Sequence, residues 1–505
     1  MKILYIGNVT EDTDRLVEKY ARQNKVLNLG LIQDPLFVPT QNGYYHTTVV
    51  DLSPGQIINL SKYFTSVKLL DQPKKNHTNY KIFVTTIRMF CDLENLNVNV
   101  EYKQVDGVEN FLKWKNFLQT NKSFCYFPFA AVVDNIGSTT ICAKSSTPIV
   151  PSNEIGDWRT NKEYNFIRQK MIAGELIPDH CSSCYQREND GEESTRQFET
   201  LEWIERMDIK TIDDFSRQSS PLYYEFRPSN KCNIRCRMCV TGYSSAIEKE
   251  FKKIDLAPTP WKLTNSGSYI NKIEDFDNLQ KIYFAGGEPT VMPEFYEFLK
   301  KCIDKGKTDF SLYVGTNGEY FSNKLLNLLD HFTNVCFAFS FDGFEKINDY
   351  IRWDSHFYNI VQNSRKLRER GHTISLQTVF STWSVSRIHE IFEFYDKEFP
   401  NSGLLVQVAG ESYNDLKMPY NHPCPELVIE SMRRCQKTNI YYQNGRSIKT
   451  LVDSILNHYL NPNYKVNLKV LKEFYEFNDK LDKSRNSRLE DYIPELAEAR
   501  KRYNL

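Results

Sequence analysis

Long apolar runs are missing from this 505-residue chain. None reaches the eighteen or so residues that a membrane-spanning helix needs, which argues against a helical membrane protein. Net charge is missing too, since 64 Lys and Arg balance 64 Asp and Glu. A broad electrostatic attraction to nucleic acid or to an anionic membrane is therefore not expected, although a local basic groove stays open. The opening MKILYIGNVTEDTD has one short apolar stretch followed by acids and does not read as a secretory signal, so the expected compartment is cytoplasmic. Gly7 stands alone after the first strand candidate, without the G-x-G-x-x-G that cradles a dinucleotide. There is no internal repeat and no low-complexity tract, and none of the nine histidines sits in a ligand-spaced pair. What is plentiful is core material: 40% apolar residues, with 32 Phe and 30 Tyr, which excludes a disordered chain. At roughly 150 residues per domain the length suggests about three domains.

The patterning divides the chain into four segments. Residues 1–118 alternate strand and helix signals and predict a small α/β domain with parallel strands, suited to substrate or partner recognition. Its strand candidates are Lys2–Ile6, Val26–Leu31 and Ser66–Leu70, with a helix over Asp12–Gln23 and a capped helix start at Ser53-Pro54-Gly55-Gln56. Residues 119–217 are turn-rich and carry cysteines. From 218 to 412 come six strand candidates: Leu222–Phe226, Lys281–Ala285, Phe310–Gly315, Val335–Ser340, Thr373–Phe380 and Leu404–Val408. Helical stretches over Met292–Lys305, Ser322–Phe332, Phe357–Arg370 and Ser386–Phe399 separate the later ones, the rhythm of a parallel barrel with six units. Residues 413–505 are polar and helix-prone.

Twelve cysteines in a cytosolic chain point to metal or redox use rather than disulfides. In EFRPSNKCNIRCRMCV, following the first strand of the six, Cys232, Cys236 and Cys239 have C-x3-C-x2-C spacing. One tight loop can converge these thiolates on one metal centre. Three thiolates on a [4Fe–4S] cluster leave one iron open to an exchangeable ligand, and zinc with a distant fourth ligand is the competing reading. One strand later YFAGGEPT presents Gly286, Gly287, Glu288 and Pro289. Glycines at a strand's C-terminal end allow close approach of a ligand to the backbone, with a carboxylate and carbonyls available to an ammonium group.

The pair CNIRCRMC and GGEP, on the first and second strands of a six-unit barrel, resembles the radical SAM superfamily. That resemblance implies a partial (β/α)6 barrel within an α/β chain. It implies a [4Fe–4S] cluster on Cys232, Cys236 and Cys239, and S-adenosylmethionine chelated at the open iron. Gly286, Gly287, Glu288 and Pro289 would line its methionine end. Thr316-Asn317-Gly318 ends the third strand where family members often contact the cofactor, which assigns Asn317. Ser340, at the end of the fourth strand, and Arg352 beyond it resemble the carboxylate and ribose contacts. An ordinary turn at Asn317-Gly318 and a helix cap at Ser340 are the plainer readings. Met238 stands where many relatives carry an aromatic beside the adenine; an apolar thioether can pack there as well.

A second constellation lies upstream. Asp134-Asn135-Ile136-Gly137 reads as a hairpin turn between FAAVV and TTICA, so Cys125 and Cys142 can face one pocket. The C-x-x-C of Cys181 and Cys184 could complete a four-thiolate set suited to zinc or to an iron–sulfur cluster. The spacing from Cys125 through Gly137 to Cys142 resembles the first half of a SPASM module, and the later pair fits the shortened twitch module, placed here before the barrel rather than after it. Cys302 and Cys336 read as packed thiols, Cys424 and Cys435 as free thiols with extra metal ligands as the alternative, and EFYEFLKK and EFYEFNDK as core faces.

The resemblance implies reductive cleavage of S-adenosylmethionine to a 5′-deoxyadenosyl radical, followed by hydrogen-atom abstraction. It also implies an electron donor such as flavodoxin or ferredoxin. A peptide or protein substrate is the first expectation. A small carbohydrate or nucleoside, acted on by a dehydrogenase or epimerase, is the second, and a non-catalytic metal-bound scaffold the third. No membrane and no nucleic-acid partner is expected, and no spacing singles out an acid, base or hydrogen donor.

Overall fold

The structure is a computed structural model. It defines the backbone of six strands between residues 2 and 101 and most of the chain from 108 to 505, the longest excepted stretch being 258–269. The six strands are β1 (Lys2–Ile6), β2 (Lys25–Leu29), β3 (His46–Asp51), β4 (Val67–Lys68), β5 (Asn79–Val84) and β6 (Val100–Glu101). They form one sheet in the order β4-β2-β1-β5-β3-β6. The three strands expected here are present within a few residues. The sheet is not all-parallel, however: β1 runs parallel to β2 and β5, while β4, β3 and β6 join antiparallel. The helix candidates at Asp12–Gln23 and from Ser53 lie outside the described residues.

A nine-stranded sheet carries the rest. It comprises β7 (Ala131–Asn135), β8 (Ser138–Thr140), β9 (Pro148–Pro151), β10 (Tyr223–Arg227), β12 (Lys281–Phe284), β13 (Ser311–Thr316), β14 (Asn334–Ser340), β16 (Thr373–Phe380) and β17 (Leu404–Val408). The order is β17-β16-β14-β13-β12-β10-β7-β8-β9, and every pair from β17 to β7 is parallel. All six strands expected between 218 and 412 are therefore present, side by side. The hairpin of the cysteine-rich segment extends the same sheet by pairing β7 with β10. Two short strands, β11 (Arg235–Cys236) and β15 (Arg352–Trp353), pair antiparallel outside it.

Alternation along each strand separates two faces. Tyr224, Phe226, Ile282, Phe284, Leu312, Val314, Phe337 and Leu376 point into one apolar core shared with the helices. The helix Pro293–Asp304 shows how the sequence builds that layer. Proline opens it, and Phe295, Phe298, Leu299 and Cys302 recur at helical spacing to form its buried stripe. Ser322 starts the next helix by accepting from Leu325 N at 3.1 Å. Residues 413–505 are helical as expected, with helices at Pro425–Cys435, Ile440–Gln443, Arg446–Leu460, Leu468–Arg485 and Pro494–Arg502. Among the described residues no helix is long and apolar enough to cross a membrane.

Candidate active site

The loop after β10 carries Cys232, Cys236 and Cys239, all half-buried and unpaired. They lie within electrostatic reach of one another: ionised Cys236 and Cys232 would oppose ionisation of Cys239, and ionised Cys236 that of Cys232. Burial, aided by those neighbours, pushes Cys232 and Cys239 up to about 12. Holding all three as thiolates therefore calls for a strong positive centre between them.

The glycines of GGEP have a physical reason in this loop. Gly286 has φ +124, and a Cβ there would stand 2.7 Å from the Ser229 carbonyl oxygen. A Cβ on Gly287 would fall 2.1 Å from the Lys231 oxygen. The strand end thus packs directly on the backbone leading into Cys232. Three hydrogen bonds fasten it: Ala285 N to Phe226 O at 2.9 Å, Gly287 N to Ser229 O at 3.1 Å and Glu288 N to Lys231 O at 2.8 Å. The glycines serve close backbone packing, in addition to any ligand approach.

Glu288 is buried, and burial pushes its carboxyl up while hydrogen bonds to Asn317 and Thr290 pull it down. It accepts from Thr290 N (3.1 Å), Thr290 Oγ1 (2.8 Å), Thr316 Oγ1 (2.8 Å) and Asn317 N (2.6 Å). Its carboxylate therefore ties the second strand end to the third. Pro289 opens the short 3-10 turn Pro289–Val291, for which Glu288 is the cap. Asn317 reaches back to the cysteine loop, donating to Asn233 Oδ1 at 2.8 Å. Ser340 is half-buried at the last position of β14, paired with Gln377.

Arg352 lies directly across the β11–β15 ribbon from Cys236. Its Nη1 donates to Asp342 Oδ2 at 2.7 Å, and Asp342 is held in turn by Val379 N at 2.9 Å. The Arg352 Nε is buried without a hydrogen-bond partner. The sequence reading missed Asp342, although it stands two residues after Ser340 in FSFDG.

The sheet face opposite the apolar core is polar. It presents Tyr223, Glu225 and Arg227 from β10, Lys281 and Tyr283 from β12, Cys336 from β14 and Gln377 from β16. Glu225 pairs with Arg227 and accepts from the Tyr223 hydroxyl at 3.2 Å. A Cβ on Gly315 would stand 2.8 Å from the Tyr283 hydroxyl, so that glycine makes room for the phenol. Cys336 Sγ lies 3.6 Å from Ser375 Oγ on this face. Charged groups facing inward are costly unless paired, and this face concentrates them.

The upstream cysteines also come together. Ile136 (φ 46) and Gly137 (φ 88) form the two central positions of the turn between β7 and β8, one residue later than the sequence suggests. Cys142 follows β8, Cys125 precedes the turn of helix Phe127–Ala130, and Cys181 and Cys184 share one face of helix Pro178–Asn189. All four line one small cavity with Lys144, His180 and Arg196. Burial and the other thiols push Cys142 up to about 12, and Cys181 to about 11. Among the described residues, no three or more His, Cys, Asp or Glu side chains are gathered closely enough to hold a single metal ion.

Arg196, also missed from sequence, builds this site's frame. Fully buried, it forks onto Glu188 at 2.9 and 2.8 Å and donates to the carbonyls of Leu118 (2.9 Å), Asn121 (3.1 Å) and Phe124 (2.8 Å). It thereby ties the strand of chain before Cys125 to the helix that bears the C-x-x-C. Cys302 and Cys336 are buried, as expected of packed thiols, and Cys424 and Cys435 are buried as well.

Comparison with known proteins places this geometry in a family context. The family described as the Radical SAM superfamily matches residues 226–395. An uncharacterised protein of Methanothermobacter thermautotrophicus is 30% identical over 171 residues, which cover 33% of this chain and 61% of that protein. An S-adenosylmethionine-dependent nucleotide dehydratase of Flammeovirga pacifica is 23% identical over 239 residues, covering 45% and 75%. The chain thus spans about three fifths of the first of these relatives. Among solved structures, anSMEcpe with bound AdoMet superposes with a TM-score of 0.32 at 16% identity, over 43% of this chain and 57% of that one. Streptococcus suis SuiB bound to S-adenosylmethionine gives 0.28 at 14%, over 54% and 58%. The match to the Radical SAM superfamily spans the loop of Cys232, Cys236 and Cys239 and the strands β12 to β16.

Proposed function

We propose that this chain is a radical SAM enzyme with one catalytic [4Fe–4S] cluster on Cys232, Cys236 and Cys239 and one auxiliary iron–sulfur cluster on Cys125, Cys142, Cys181 and Cys184. The observation that carries the reading is the interlock of the three-cysteine loop with Gly286-Gly287 and, through Asn233, with Asn317. In this reading the six parallel strands are the staves of a partial (β/α)6 barrel over 218–412. Residues 119–217 are a twitch-like module, 1–118 a recognition domain and 413–505 a helical extension. A [4Fe–4S] cluster held by Cys232, Cys236 and Cys239 and reduced by flavodoxin or ferredoxin would supply the electron for cleavage of S-adenosylmethionine to methionine and a 5′-deoxyadenosyl radical.

This chain's own residues would position that cofactor. The buried, unpartnered Nε of Arg352 beside Cys236 suits a carboxylate such as that of the methionine moiety. Carbonyls of the GGEP turn are the acceptors for its ammonium group, because the Glu288 carboxylate is already engaged by four donors. Ser340 and Asn317 stand at neighbouring strand ends. The polar face around Glu225, Arg227, Tyr283 and Gln377 would take the substrate from which hydrogen is abstracted.

For the four-cysteine cavity, an iron–sulfur cluster is the first reading and structural zinc the second, since four thiolates gathered on one cavity can serve either. A peptide substrate fits a chain with a recognition domain beside the catalytic one. A nucleotide substrate is the second reading, favoured by the relative named a nucleotide dehydratase.

The test is iron and acid-labile sulfide per chain after anaerobic reconstitution. About eight irons are expected in wild type, about four in the Cys232/Cys236/Cys239→Ala variant, and about four in Cys181/Cys184→Ser. Reductive formation of 5′-deoxyadenosine should vanish only in the first variant. Zinc in place of iron, or no turnover of S-adenosylmethionine by wild type, sinks the enzyme reading. Stimulation of that turnover by nucleotides but not by peptides would decide the substrate class.

A further inference from the structure

The helix Leu468–Arg485 belongs to the C-terminal region, and its contacts with the cysteine loop bridge 241 and 245 residues of chain. Arg237, between Cys236 and Cys239, is completely buried. Its guanidinium donates to Tyr350 O (2.8 Å), Asn478 Oδ1 (3.2 Å) and Asp482 Oδ1 (2.5 Å), and stacks 3.5 Å over the Tyr350 ring. The acceptors are themselves fixed: Asp482 takes the Tyr350 hydroxyl at 3.0 Å and Ser487 Oγ at 2.8 Å, and Asn478 takes Trp383 Nε1 at 2.9 Å.

Arg235, on the other side of Cys236, is held as firmly. It donates to Asp354 at 2.6 and 2.8 Å and to Glu250 at 3.2 Å. Glu250 is gripped by Arg485 of the same C-terminal helix at 3.0 and 2.6 Å. Met238 packs against a core that includes Leu471, Phe474 and Tyr475, and Cys239 against one that includes Leu481. Arg235, Arg237, Met238 and Cys239 are therefore braced, directly or through Glu250, by elements that include one helix. An all-apolar contact would hold the loop against that helix. A planar fork with several fixed acceptors also sets its rotation and register.

We propose that Asn478, Asp482 and Arg485 are positioning residues for the three-cysteine loop, making the C-terminal helix a clamp that holds its thiols in cluster-binding order. The inference rests on the reading of Cys232, Cys236 and Cys239 as cluster ligands. Its first readout, however, is taken on metal-free protein, so the two can fail separately.

The comparison uses full-length wild type, Asp482→Asn, and the paired Arg237→Met/Asp482→Leu variant. The pair replaces a buried ion pair by apolar groups of similar volume, so that neither charge is left buried alone while the directional contacts are removed. In the metal-free chain, reaction of Cys232, Cys236 and Cys239 with a thiol reagent is followed residue by residue by mass spectrometry. After reconstitution, loss of iron to a chelator is timed, with the upstream four-cysteine iron as internal reference. The clamp predicts at least tenfold faster labelling and faster loss of the loop's iron in both variants, with the upstream iron unchanged. The paired variant should show this while Cys125, Cys142, Cys181 and Cys184 keep their wild-type labelling rates, which global unfolding would not allow. Wild-type rates in both variants overturn the proposal. Recovery of wild-type rates in the paired variant overturns it too, because packing alone would then suffice. Should Asp482→Asn fail to fold, the paired variant decides by itself. If wild type binds no iron, the cluster reading falls while the labelling comparison still judges the clamp.

Discussion

Replacing Gly287 with alanine should separate the cysteine loop from the strand end that supports it. The added Cβ would stand 2.1 Å from the Lys231 oxygen, 2.5 Å from its carbonyl carbon and 2.7 Å from that of Asn230. Ordinary contact begins near 3.4 Å, so backbone must retreat by about 1.3 Å, the difference between 3.4 and 2.1. No flexible side-chain tip is available to yield. The retreat strains the three hydrogen bonds between these segments. At about 1 kcal/mol each, they bring the loss to about 3 kcal/mol, at the upper end of usual overpacking costs. Gly306→Ala is the control: with φ +66 and nothing within 4 Å, it meets only the left-handed backbone penalty of about 1–2 kcal/mol. Reconstituted iron content, equilibrium binding of S-adenosylmethionine and thermal unfolding would be measured for both. Gly287→Ala should lose about half of its iron and weaken S-adenosylmethionine binding at least tenfold, whereas Gly306→Ala should change neither. If Gly287→Ala keeps wild-type iron and affinity and melts no lower than the control, the interlock does not hold the site.

Arg196→Met leaves Glu188 buried without its partner and frees three carbonyls, so stability should fall by about 3–5 kcal/mol. Urea unfolding and the loss of iron from the upstream site, with the Cys232 loop still loaded, check this. Arg352→Gln removes the cation opposite Cys236 and should raise the KM for S-adenosylmethionine more than it lowers kcat, which 5′-deoxyadenosine release measures. Acid should destabilise the fold through two histidines. Burial pushes His422 down to about 3 and His389 to about 4, whereas the unfolded chain takes up those protons near 6.5. Below about pH 6.5 the unfolded state binds more protons, so stability is full above that pH and falls as pH drops. The slope is about 1.4 kcal/mol per unit for each histidine, continuing to about pH 4 for His389 and pH 3 for His422. His422→Asn should roughly halve the loss between pH 6.5 and 4.5 in urea titrations; an unchanged slope would reject its assignment.

The sequence by itself determined what is local and periodic. Six strands and their helices were legible because one face of each buries apolar residues at regular spacing, as in Pro293–Asp304. The two cysteine sets were singled out by spacing alone, C-x3-C-x2-C in one loop and a hairpin plus C-x-x-C in the other, and the structure brings the members of each into one neighbourhood. Glycine was read at the right positions of GGEP, but ligand access was the stated reason. The tertiary structure supplied another, the backbone of Ser229–Lys231 lying where a Cβ would be.

Contacts between distant segments were beyond sequence reading, because a single ion-pairing residue does not name its partner. Arg237 could meet any of 64 acidic side chains, and folding selects Asp482. Arg196 selects Glu188 together with three carbonyls whose positions depend on another helix. Strand direction in the N-terminal sheet was likewise decided by pairing: β3 lies antiparallel to β5, which no local pattern encodes. Residue type and spacing thus fix which chemistry is available. Only the packing of remote elements decides which charges face one another, and so how firmly the cysteine loop is held.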